Sequence, residues 1–128
     1  MSTRLIPPPV EARLLVVIRA FAEVIIADET GSDDPASLAF VAETADVLRR
    51  RLLGMPRYLA GGMVVMTLAF DSGARTLAGA PFHALPIPGR RKVIHRVRAI
   101  PVGLIHNFVS FYEKLGVFIY WSLVEEAS

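Results

Sequence analysis

The chain has 128 residues, with 53% hydrophobic and only 20% charged residues, a formal net charge of +2 and no cysteine. This length fits one domain with a sizeable core, needing no disulfide staples. The absent cysteines exclude a disulfide framework and thiolate chemistry, and the small net charge argues against a nucleic-acid binder.

A mean hydropathy of +0.47 is high for a free small domain, so a partner or a membrane surface is expected to cover part of this one. Acidic residues gather early, at Asp28, Glu29, Asp33, Asp34, Glu43 and Asp46. Basic residues gather late, at Arg90, Arg91, Lys92, Arg96 and Arg98. Opposite ends of the molecule are therefore expected to carry opposite potential. The opening MSTRLIPPPVEARLL has prolines where a secretory signal needs an apolar run, and it has no paired arginines.

Residues 1–8 read as a tail and 9–128 as one helical domain. The first helix is expected over Val10–Ala27, where Leu14, Val17, Ile18, Phe21, Val24 and Ile25 recur at helical spacing. Arg19 and Glu23 stand four residues apart and read as a surface pair. DETGSDDPAS then reads as a turn-rich linker that lacks the ligand order of an EF-hand. A second helix is expected from Ala36 or Ser37 to Leu53, with Arg49–Arg51 near its C-terminus and Gly54 ending it.

Pro56 opens a third helix, expected to run from Arg57 to about Phe70. Its uncharged stretch LAGGMVVMTLAF is too short to cross a bilayer and reads as a buried core helix, with Gly61 and Gly62 allowing close backbone packing. Asp71, Ser72 and Gly73 read as a turn. Residues 74–88 read as an irregular connector anchored by Phe82 and Leu85, with His83 isolated on it.

The fourth helix, from Pro88 or Gly89 to Ala99, is amphipathic and basic. Val93, Ile94, Val97 and Ile100 form its apolar stripe. The fifth starts at Pro101 and reaches Trp121, carrying Leu104, Ile105, Phe108, Phe111, Leu115, Phe118 and Ile119. His106, Asn107, Glu113 and Lys114 near its middle argue against a transmembrane span. The expected fold is therefore all-α, a compact bundle of about five helices. No HExxH motif, Walker loop, dinucleotide fingerprint or nucleophile elbow is present, and no catalytic, cofactor-binding or metal-ligating residue is assigned.

The segment FHALPIPGRRKVIHRV, followed by FVSFYEKLGVFIYW, resembles the small helical subunit (subunit 3) of membrane-associated gluconate dehydrogenases. It also resembles the helical domain attached to some flavin-dependent GMC-type alcohol dehydrogenases. Phe82 and Leu85 match apolar anchors, Arg90 and Arg91 a basic pair, and Phe111, Tyr112 and Tyr120 an aromatic end. The chain departs from the pattern in lacking a twin-arginine leader and a proline in IIADET. The resemblance implies a non-catalytic accessory subunit that stabilises a large dehydrogenase oxidising an alcohol or sugar, with FAD and the catalytic base in that partner. A cytoplasmic location is expected, with peripheral membrane association through the complex. The expected partner-binding residues are Arg90, Arg91, Arg96, Arg98, Phe108, Phe111, Tyr112, Phe118, Tyr120 and Trp121. Two other readings compete. One is a small apolar-ligand-binding protein or enzyme, with Glu113, His106 and His95 as its first polar candidates. The other is a peripheral membrane protein.

Overall fold

The computed structural model describes residues 7–128, so most of the expected tail lies outside the described residues. Five α-helices form a bundle, and no strand occurs among the described residues: α1 Pro8–Thr30, α2 Val41–Leu53, α3 Arg57–Ala78, α4 Ile87–Arg98 and α5 Gly103–Ala127. Two short 3-10 turns, Pro35–Ser37 and Phe82–Ala84, lie in the connections.

Helix α1 is the axis of the bundle and packs against each of the other four helices. Prolines 8 and 9 start it with a preset φ, and Glu11 in the first turn suits the positive end of the helix dipole. Gly31 ends it in the left-handed region at φ 76°, donating its N–H to the Ala27 carbonyl. Ten of its 23 residues are buried. At its centre the Phe21 ring stacks on Tyr112 of α5, with centroids 4.4 Å apart and planes 3° from parallel. Phe82 and Phe70 close the same cluster at 4.7 and 5.2 Å from Phe21. Such pairs add about 0.5–1.5 kcal/mol each beyond the area they bury.

Tyr112 is fully buried, and its hydroxyl meets Thr67 Oγ1 at 2.7 Å. Thr67 has one hydroxyl proton and gives it to the Met63 carbonyl at 2.7 Å, so Tyr112 is the donor between them. Burial pushes the Tyr112 phenol well above its ordinary pKa, which keeps that proton in place. One turn further along the same face of α1, Ile25 meets Gly116 of α5. A Cβ at position 116 would stand only 2.7 Å from Ile25 Cδ1, so the glycine lets the two helices close together.

Several boundaries differ from the sequence expectation. Helix α2 starts at Val41 because Pro35–Ser37 turns separately, with the Asp34 carboxylate accepting from the Ala36 N–H. Phe40, the residue before α2, lies in the left-handed region at φ 63°, with its ring edge toward Tyr120. Helix α3 runs through Asp71-Ser72-Gly73 and ends only at Gly79, at φ 81°. Asp71 survives inside a helix because its buried carboxylate has partners on the next connection, described below. Gly61 and Gly62 are not packed against other elements, since a Cβ at either would meet nothing within 4 Å. Helix α5 begins after Pro101 and Val102 and continues to Ala127. Arg19 is not the partner bonded to Glu23; that carboxylate binds Arg90, 67 residues away, at 3.0 Å.

Candidate partner-binding face

Helix α4 supplies four of the expected contact residues, and its neighbours treat them differently. Arg90 is buried. Its guanidinium reaches Glu23 Oε1 at 3.0 Å, the Ala20 carbonyl at 3.3 Å and the His83 carbonyl at 3.3 Å. It ties α4 to α1 and is not presented to an outside molecule. Arg91 spans Asp28 at 2.7 Å and both oxygens of Asp33. Hydrogen bonding from Arg91 holds the Asp33 carboxyl below its ordinary range, while the two carboxylates hold Arg91 in its charged form. Arg98 pairs with Glu113 of α5. Arg96 donates to the Leu77 carbonyl at 3.0 Å and is otherwise exposed. The charge asymmetry of the sequence is thus largely resolved inside the molecule, with late arginines meeting early acids.

The aromatic residues of α5 also divide. Phe108, Tyr112 and Tyr120 are buried in the chain's own core, where α1, α3 and Phe40 cover them. They contribute packing to this bundle, and none is more than 6% exposed. Phe111 is half-buried, whereas Phe118 and Trp121 stand 64% and 47% exposed.

The structure adds apolar surface that sequence reasoning placed inside. On α3, Tyr58 is 78% and Val65 67% exposed, and Leu59 is nearly half exposed. Tyr58, Gly62, Val65 and Ala69 follow i, i+4, i+7 and i+11 spacing, which puts them on one side of the helix. Beside them, Leu59, Met63 and Met66 of α3 face Leu104 and Phe111 of α5 across an open groove of about 250 Å³. The groove side of α5 continues through Leu115 to Phe118. The signal for this surface was present in the sequence: α3 has no polar stripe opposite its buried one over residues 58–70.

The three histidines are dispersed. His83 is the most constrained. The buried Asp71 accepts its backbone N–H at 2.8 Å, and both carboxylate oxygens lie 2.9 Å from its Nδ1. An Asp-oriented imidazole can serve proton transfer when a nucleophile adjoins it. Here, among the described residues, the ring bonds only to Asp71, and the pair works as a clip that fastens the Phe82–Ala84 turn to α3. His106 Nε2 bonds the Ile100 carbonyl at 2.8 Å, bracing the α4–α5 corner, and His95 is exposed on α4. Glu113 is occupied by Arg98. Among the described residues no group of three or more His, Cys, Asp or Glu side chains is placed to hold a metal ion. No helix among them is long and apolar enough to cross a membrane.

In comparisons with known proteins, no family model, no curated protein and no solved structure matches this chain.

Proposed function

We propose that this chain is a non-catalytic accessory subunit that binds and stabilises a large FAD-dependent dehydrogenase acting on an alcohol or sugar. One observation carries the interaction reading: the apolar outer sides of α3 and α5, with Tyr58, Val65, Leu104 and Phe118 each at least 64% exposed. Solvating such side chains is unfavourable by roughly 25 cal/mol per Å², so a partner that covers them gains affinity. Large exposed aromatics are also the residue types that anchor interfaces. The flavoprotein identity of the partner rests on the sequence resemblance at residues 82–121. In this reading the flavin and the catalytic base belong to the partner, the complex works in the cytoplasm, and any membrane association is peripheral.

Affinity isolation of tagged chain at near-native expression tests the proposal. The expected product is a stoichiometric complex whose absorbance spectrum contains a bound flavin. Val65→Lys combined with Phe118→Lys is expected to release the partner while the helical signal of the chain is retained. Recovery of only monodisperse, uncomplexed chain would reject the reading.

A further inference from the structure

Helix α4 sorts its basic side chains. Arg90, Arg91 and Arg98 each meet a carboxylate of this chain. Lys92, His95 and Arg96 meet none among the described residues. These three line an open cleft of about 740 Å³ between α4 and the end of α3, together with Leu77, Pro88 and Val93. Adjoining the cleft is a second hollow of about 300 Å³, with Met66, Gly73, Val97, Ile105 and Phe108 in its lining. Leu77 and Val93 belong to both linings, so the basic cleft and the apolar hollow share a wall. Gly73 borders open space in this hollow, since a Cβ there would meet nothing within 4 Å.

Going beyond the subunit proposal, we infer that the cleft and hollow together form a binding site for a small anionic amphiphile, a single-chain carboxylate, sulfate or phosphate ester. The head group supplies the negative charge that Lys92 and Arg96 lack, with the His95 ring beside them as a hydrogen-bonding group, and charge-assisted hydrogen bonds are the stronger ones. The tail fills a hollow whose lining side chains are all apolar, where it displaces water and leaves no polar group unpaired. A neutral ligand would leave the cations unmatched, and a cationic one would be repelled. The same chemistry occurs in a free fatty acid and in an anionic lipid of a bilayer, and the two sources separate experimentally.

Titration calorimetry of the full chain with octanoate, decanoate and dodecanoate, each below its micelle concentration, is the direct test. Affinity is expected to rise with chain length at a stoichiometry of one. Dodecanoate is expected to bind roughly tenfold more tightly than dodecanol and dodecyltrimethylammonium. Gly73→Leu fills the hollow and raises helix propensity, so it is expected to abolish binding in a folded chain. Lys92→Glu with His95→Glu, which leaves the Arg96 bond to Leu77 in place, is expected to remove the preference for the anion. The chain-length series needs no variant and reads the hollow even if a substituted chain fails to fold. Affinity independent of chain length, equal affinity for anionic and cationic amphiphiles, or unchanged binding in folded Gly73→Leu would overturn the site. Binding to phosphatidylglycerol vesicles without binding of free dodecanoate would overturn it too, in favour of a membrane-facing surface. A complex with a flavoprotein is measured separately, so each proposal can fail while the other stands.

Discussion

Helices α1 and α3 are nearly equal in length, 23 and 22 residues, and both are rich in apolar side chains, yet α1 buries ten residues and α3 five. Their surroundings account for the difference. Helix α1 packs against all four other helices and leaves Leu15 and Val16 exposed near its start, while α3 closes one wall and leaves Tyr58, Leu59 and Val65 in solvent. Apolar content measures how much surface wants cover, and the packing order decides which helix receives it from its own chain. In this bundle α1 is covered over most of its apolar surface, and α3 retains a wider outer side that an external molecule can cover.

The sharpest way to break this contrast is substitution at matched apolar positions. Phe21→Ala removes the centre of the aromatic cluster and is expected to lower the unfolding free energy by about 3–5 kcal/mol in urea titration. Val65→Lys is expected to change it by less than about 0.5 kcal/mol. Comparable losses at both positions would mean that α3 is covered in the isolated chain as α1 is.

Next in size is the link from α1 to α4. Glu23→Ala leaves the buried Arg90 without its carboxylate, and removing one partner of a buried pair is costly. Because Glu23 keeps some solvent contact, a loss of about 2–3 kcal/mol is expected, again read in urea. Glu23→Gln is expected to recover part of it. Thr67→Val, between α3 and α5, takes the acceptor from the Tyr112 hydroxyl and is expected to cost about 1–2 kcal/mol. Added to Tyr112→Phe it is expected to cost clearly less than the sum of the two single changes. Strict additivity would show that the hydroxyls are not coupled.

The smallest effect sharpens the contrast at the surface. Asp33 and Asp46 have carboxyl pKa values lowered from the ordinary 3.8, first by hydrogen bonds from Arg91 and Arg49 respectively. A carboxyl whose pKa is lower folded than unfolded stabilises the fold above the unfolded value. That contribution disappears as pH falls through the lowered folded value. Thermal unfolding followed from pH 6 to below pH 3 is expected to lose a small increment in this range. The increment should shrink in Arg91→Gln and in Arg49→Gln.

The all-α bundle was legible in the sequence because the 3.6-residue periodicity of Val10–Ala27 and of the stretch from Leu104 to Ile119 survives in the fold. The anchors Phe82 and Leu85 were legible as apolar residues isolated in a proline-rich stretch, and both are buried. The end of α3 was not. Asp71, Ser72 and Gly73 have turn chemistry locally, and the partner that keeps Asp71 inside a helix is His83, twelve residues on. For the same reason the Arg19–Glu23 spacing misled, since Arg90 reaches Glu23 from a distant part of the chain. Among the expected contact residues, helical spacing could not separate Phe108, Tyr112 and Tyr120 from Phe118 and Trp121. All five lie on one apolar helix, and the positions of α1, α2 and α3 around it decide which turn inward.

The missing side chain at Gly116 has a directional consequence. A methyl group there would stand 2.7 Å from Ile25 Cδ1, so the face of α5 that carries Gly116 is the one that lies against α1. Two residues further on, at about 100° per residue, the chain has swung through about 200°, and Phe118 leaves α5 on the side turned away from α1. The same rotation of α5 that seats Gly116 on Ile25 leaves the Phe118 ring in solvent.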